Sequence, residues 1–278
     1  MMRRVRIAVD FLVATGLVIS FAAIGVVFVC YGVVRQAVDL HPVAIAFSLV
    51  LFTYGVNKLT DFDEDKIDNT ARTSIVEVWG HVPVIVGGLI LVFEFFYSLY
   101  SDCYASMIIA YWVVVGFAYS KLKLKKVFLL KNFIVGSTWA SLVCLVYVYS
   151  PDISLGILLL LFVNIGVHFF VNSILSDVKD VKSDRESGVV TFPVKYGLSA
   201  TKWICTAAML LLVLADSFLL FSGMVGAEVY PLLAVSLWWL LLIPFVKQQY
   251  GSWFFGGVVD SEYIVAGSVF ALIGWFIK

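Results

Sequence analysis

Long apolar runs, each near the length that crosses a hydrocarbon core, are what most restrict this chain. They fall at about 7–33, 40–56, 81–100, 104–120, 127–149, 153–176, 201–222, 226–246 and 260–277, and roughly 20 helical residues span a bilayer. Charged residues make up 14% of the 278 and hydrophobic ones 62%, where soluble domains carry about 25% charged residues. The runs therefore predict an all-α, polytopic membrane protein with nine transmembrane helices, and they exclude an aqueous globular core. The stretch after Arg3, Arg4 and Arg6 continues past residue 25. That is too long for a signal-peptide core, so it reads as a first span.

Orientation follows from Lys and Arg. With the N-terminus in the cytoplasm, 17 of the 19 basic residues lie in cytoplasmic segments, and only Arg35 and Lys278 fall outside. Such a bias sets topology by the positive-inside rule. It predicts an extracytoplasmic C-terminus and an integral protein of the cell membrane. Net charge is zero and no basic block is present, so nucleic acid is not an expected partner. The four cysteines show no CxxC spacing and the three histidines are isolated. Packed thiols and non-ligand imidazoles are the expectation.

Against this apolar background, ten of the nineteen acidic residues lie within 57–80 or 177–202. Carboxylates near a bilayer are costly and mark functional sites. Asn57, Asp61 and Asp65 are spaced i, i+4, i+8, with Asp68 on the same face if the segment is helical. Asp177, Asp180 and Asp184 are spaced i, i+3, i+7. Like charges so placed repel one another on a helix, unless a cation sits between them. The topology puts both clusters on the cytoplasmic side. Two facing halves would bring the stripes together across a central cavity, where Mg²⁺ or Mn²⁺ could bridge carboxylates and a diphosphate. The plainer alternative is a pair of solvated acidic loops.

Basic groups accompany the acids. Arg72 follows the first cluster, and Tyr119 and Lys123 share a helical face at the end of the fourth span. Donors of this kind suit an anionic leaving group where water is excluded. Lys125 and Lys126 read as membrane anchors, whereas Lys131 and Asn132 stay open between anchor and site.

These residues resemble the UbiA superfamily of intramembrane prenyltransferases over nearly the whole chain, 1–278, as a single domain. Its first motif, NDxxDxxxD, is met by Asn57, Asp61 and Asp65, with Lys58 in place of the second-position Asp. The loop's later Arg is Arg72, and the family's YxxxK is Tyr119 and Lys123. The second motif, DxxDxxxD followed by Gly and Thr-x-Pro, is met by Asp177, Asp180, Asp184, Gly188, Thr191 and Pro193. The resemblance implies metal ligation and catalysis by Asp61, Asp65, Asp180 and Asp184, with Mg²⁺ or Mn²⁺ as cofactor. It implies substrate binding by Asn57, Arg72, Tyr119, Lys123 and Asp177. Asp63 or Glu64 would complete the first metal, or Lys58 would itself touch phosphate. The implied reaction ionises a prenyl diphosphate to an allylic carbocation, which a hydrophobic aromatic (quinone-precursor) or lipid-ether acceptor captures as pyrophosphate leaves. Membrane lipids would surround the site.

Two other classes were weighed. A CDP-alcohol phosphotransferase would keep its acids in one segment with DGxxAR, of which Asp68 to Arg72 is only an echo, lacking the Gly and one residue short. A transporter or cation channel would place its charges near the midplane, where this chain has few.

Overall fold

The computed structural model describes residues 2–63, 70–122 and 124–276. Its α-helices are α1 (Met2–Ala14), α2 (Leu17–Val34), α3 (Leu40–Thr60), α4 (Thr70–Trp79), α5 (His81–Ser101), α6 (Cys103–Lys121) and α7 (Leu130–Tyr149). They continue with α8 (Leu155–Ser176), α9 (Val181–Glu186), α10 (Phe192–Phe221), α11 (Tyr230–Leu242), α12 (Ser252–Gly257) and α13 (Glu262–Phe276). Among the described residues no β-strand occurs, as expected where every backbone polar group must be satisfied within its own segment.

Eight stretches among the described residues are long and apolar enough to cross a membrane, and Tyr230–Phe245 is apolar but shorter. The predicted span 226–246 is shortened because a 3₁₀ turn at Ala227–Val229 precedes α11 and another at Ile243–Phe245, containing Pro244, ends it. The predicted first span, 7–33, is two helices. Gly16 takes φ +77° between α1 and α2, a left-handed conformation that glycine adopts without penalty. The predicted last span, 260–277, carries α13, and a short helix the prediction did not include, α12, precedes it across a 3₁₀ turn at Val259–Ser261.

The first and last membrane segments close on each other through α2 and α13. A Cβ on Gly25 would stand 2.0 Å from the Tyr263 carbonyl oxygen, and one on Gly267 would stand 2.6 Å from the Gly25 Cα. Only glycine permits this backbone approach. Behind that seam Trp139 stacks on Phe169 at 3.7 Å, and Phe169 on Tyr263 at 5.4 Å. His168 is fully buried, 2.7 Å from the Tyr263 hydroxyl and 2.8 Å from Ser236 Oγ. Its role is a satisfied interior hydrogen bond, as expected of an isolated histidine. At the end of the bundle away from the acidic motifs, His41 Nδ1 lies 3.0 Å from Glu94 Oε2.

Candidate active site

The C-terminal ends of α3, α6 and α8 and the N-terminal end of α7 meet at one end of the bundle. They enclose a cavity of about 240 Å³ lined by Asn57, Asp61, Tyr119, Lys131, Asp177, Asp180 and Asp184, among others. Six of the nine residues singled out from the sequence thus share one space, although the two clusters are well apart in the chain, 116 positions from Asp61 in the first to Asp177 in the second. Asp65 and Lys123 lie outside the described residues, as does the side chain of Arg72.

The acids are not carried on continuous helical stripes. In α3, Asn57 occupies the last turn, and Asp61 is the C-cap, its N–H donating to the Asn57 carbonyl at 2.9 Å. Ser120 Oγ donates to Asn57 Oδ1 at 3.2 Å and ties α3 to α6. α8 ends at Ser176, so Asp177 is its C-cap and Asp180 the N-cap of α9. The Asp180 N–H donates to the Asp177 carbonyl at 3.2 Å, which folds the intervening residues into a turn. This turn, rather than a helical face, aims Asp177, Asp180 and Asp184 into the cavity.

The second cluster is held by named partners. Thr191 Oγ1 donates to Asp184 Oδ2 at 3.1 Å, and the Val189 N–H closes the loop onto the Asp184 carbonyl at 2.8 Å. Lys179 Nζ contacts Asp180 Oδ2 at 3.0 Å. Lys131, at the start of α7, reaches Asp177 Oδ1 at 2.5 Å. Asp177 is 2% exposed and its Oδ2 has no hydrogen-bond partner. Burial raises the Asp177 carboxyl above its ordinary range while Lys131 draws it back down. Burial also raises Asp184 to about 6, again opposed by Lys131. One buried and one half-buried carboxyl, both held above their ordinary range beside one cation, mark this cavity as a candidate functional site.

Hard oxygen donors of this kind suit Mg²⁺. Among the described residues no three acidic, His or Cys side chains converge closely enough to hold a metal between themselves. The unpartnered Asp177 Oδ2 supplies a further acceptor in the same space.

Lys58, the departure from the motif, lines the same cavity and is also tied to the first helix. It is buried, and its Nζ donates to the carbonyls of Val13 and, at 2.9 Å, Ala14. It therefore holds the C-terminal end of α1 at the break before α2. A second cavity of about 130 Å³ lies between α3, α6 and α7 and shares Tyr54, Asn57, Tyr119 and Val135 with the first. Its wall is largely apolar, with Trp112, Val115, Ile134 and Trp139.

The family model of the UbiA prenyltransferases matches residues 17–252. The chain belongs to the UbiA prenyltransferase family. Chloroplastic chlorophyll synthase from Arabidopsis thaliana is 29% identical over 163 residues, covering 56% of this chain and 39% of that protein. The enzyme of the same name from Oryza sativa subsp. japonica is 30% identical over 160 residues, covering 55% and 39%. The match thus spans about two fifths of these curated relatives. A UbiA homologue from Archaeoglobus fulgidus, bound to GPP and Mg²⁺, superposes with a TM-score of 0.67 at 15% identity, covering 94% of this chain and 99% of that one. A digeranylgeranylglyceryl phosphate synthase gives 0.59 at 16% identity, covering 98% of both. These structures share the fold, and the all-helical membrane architecture of this family member agrees with the sequence expectation.

Sequence reasoning left Lys131 undecided and passed over Tyr54, Asn172 and Asp260, all of which line the cavity. For Asp260 the available signal was an acid at the very start of an apolar run.

Proposed function

We propose that this chain is a Mg²⁺-dependent enzyme of the membrane that moves an isoprenyl group from a prenyl diphosphate to an aromatic quinone precursor or a lipid-ether precursor, releasing pyrophosphate. The observation that carries this reading is the meeting of Asp61, Asp180, Asp184 and Lys131 in one cavity that opens into an apolar one. Solved structures of the same fold hold GPP or DMAPP with Mg²⁺, which supports a diphosphate donor here.

In this reading Asp61, Asp180 and Asp184 hold Mg²⁺, joined by Asp65. When bound, the ion supplies charge neutralisation and Lewis acidity at the diphosphate oxygens. The chain's own groups do the remainder. Lys131 donates to the leaving pyrophosphate from a largely desolvated position, where such a bond is stronger than in water. Asn57, Tyr119 and Asp177, with Arg72 and Lys123, orient the donor. The apolar cavity takes the start of the isoprenoid tail and keeps water from the allylic cation. Thr191 fixes the Asp184 carboxylate.

The Lys and Arg distribution supports a single-domain protein of the cell membrane, with this cavity at the cytoplasmic face. A reporter fused after Lys278 should then read extracytoplasmic, and a cytoplasmic signal would reverse the orientation. The decisive experiment is binding of geranyl thiodiphosphate to the detergent-solubilised protein, with and without Mg²⁺. Tight binding that requires the metal is expected, with Asp180→Ala weaker by at least about 10²-fold, the scale of losing one electrostatic stabiliser. Binding indifferent to metal and to Asp180 would overturn the proposal.

A further inference from the structure

The cavity has a further wall besides the acidic turn and the apolar side. On one side stand the acidic turn and Lys131, and the apolar cavity leads away between α3, α6 and α7. The remaining wall is built from two breaks in membrane helices: Val13, Val18 and Ile19 around the α1–α2 break, and Phe255, Gly256 and Asp260 around the α12–α13 break. Irregular backbone at membrane depth is tolerated where it lines such a cavity. The two breaks pack on each other, since a Cβ on Gly256 would stand 2.3 Å from Val13 Cγ1.

Asp260 is the acid that this wall presents. It sits in the 3₁₀ turn just ahead of the first turn of α13, where a helix N-terminus favours a carboxylate. Asn172 Nδ2 donates to its Oδ1 at 3.0 Å, and Ser176 Oγ reaches Asn172 Oδ1 at 3.4 Å. That chain leads back to the acidic turn. Tyr54 on α3 and Glu262 on α13 are within electrostatic reach of Asp260. Glu262 is 3% exposed, so a second, buried carboxyl stands behind Asp260.

We infer that Asp260 meets the acceptor and takes the proton of an acceptor hydroxyl, which makes the acceptor a neutral, hydroxyl-bearing molecule. The inference rests on the prenyl-transfer reading. The allylic C1–O bond breaks, and its electron pair leaves with pyrophosphate. A lone pair of the acceptor oxygen forms the new bond to C1. The acceptor O–H bond breaks, its pair remains on what becomes the ether oxygen, and the proton passes to the Asp260 carboxylate. An acceptor that offers a carboxylate instead would meet Asp260 as a like charge, and is disfavoured.

The test uses the full chain with geranyl diphosphate, Mg²⁺ and three probes: para-octylphenol, an octadecyl glycerol ether and para-octylbenzoate. Prenylated product, geraniol and pyrophosphate are measured separately. Wild type should prenylate at least one hydroxyl probe and leave the benzoate untouched. Asp260→Asn should lower prenylated product by about 10²-fold, the scale of a positioned general base. Pyrophosphate release and Mg²⁺-dependent geranyl thiodiphosphate binding should persist, showing an intact fold, with the cation diverted to geraniol. Full product formation by Asp260→Asn overturns the inference. So does a loss of donor binding equal to that of Asp180→Ala, which would put Asp260 in the metal site. Wild-type preference for the benzoate, or failure to prenylate either hydroxyl probe while donor binds, also overturns it. A wild-type protein that binds no donor fails the prenyl-transfer reading itself, and the thiodiphosphate measurement identifies that case.

Discussion

Replacing Lys131 by methionine separates what the Lys131–Asp177 pair does for the fold from what it does for the donor. The Nζ to Oδ1 distance is 2.5 Å, with side-chain exposures of 20% and 2%. Unit charges at that distance attract by about 7 kcal/mol at an effective dielectric of about 20, and desolvation of both groups offsets much of it. Truncating one partner of a buried pair costs about 3–5 kcal/mol, because the other charge is left without compensation. Lys131 keeps some contact with water, so about 3 kcal/mol is expected for Lys131→Met, read as a lower unfolding midpoint in detergent. Asp177 should then hold its proton at neutral pH, since burial already raises it and Lys131 is what opposes the rise. Donor affinity should fall about 10²-fold with the loss of a cation aimed at the leaving group. The companion variant, Lys131→Met with Asp177→Asn, removes both charges. Stability should return to within about 1–2 kcal/mol of wild type, while geranyl thiodiphosphate binding stays weak. Recovery of binding in the double variant would refute the reasoning, because it would mean that Lys131 serves only to neutralise Asp177.

Thr191→Val removes the hydroxyl that donates to Asp184 Oδ2 at 3.1 Å, and should raise the Mg²⁺ concentration needed for half-maximal donor binding by about tenfold, the scale of one hydrogen bond to a charged group; an unchanged Mg²⁺ titration would count against that orienting role. Asp184 is raised to about 6 and binds metal only when ionised. Metal-dependent donor affinity should therefore be flat above neutral pH and fall about tenfold per pH unit once pH drops below this value. The check is thiodiphosphate binding from acid to neutral pH, corrected for the analogue's own protonation in free solution, and a corrected profile without this decline would rule the assignment out. Lys58→Met removes the donor to the Val13 and Ala14 carbonyls and should destabilise the protein by about 1–3 kcal/mol, with the Mg²⁺ requirement of donor binding retained. A Lys58 variant of normal stability but lost donor affinity would restore a phosphate role to this residue.

The long apolar runs made the helical membrane architecture legible, because hydropathy reports directly on what each segment must bury. The acidic motifs were legible because ionised groups beside a bilayer are rare enough to stand out. The breaks were not. Gly16 sits within one continuous apolar run, and nothing in its neighbours marks it as the glycine that divides two helices rather than one that packs them. Ahead of the predicted last span, α12 was missed for a different reason: at 6 residues it is too short to register as a span. Lys131 was ambiguous for another reason. It is one of five lysines between 121 and 131, and linear position cannot separate an anchor from a ligand. Its partner, Asp177, is 46 residues away, so only the packing of α7 against α8 identifies it.

Lys58 shows how the two kinds of information combine. The motif position that carries Asp elsewhere in the family holds a cation here, which taken alone weakens the first half of a metal site. In the folded chain that cation bonds the end of α1, next to the α1–α2 break, while also lining the cavity. The same substitution therefore removes a carboxylate from the donor wall and pins the opposite wall in place. In the proposed reading, metal ligation would rest more on Asp180 and Asp184 than on the first motif. Those two residues are also the ones that the turn after α8, the Thr191 hydroxyl and the loop closure at Val189 hold most firmly. In the proposed reading one side chain sets the two halves apart: the second half would grip the diphosphate, and the first half, through Lys58 and α1, would shape the opposite wall.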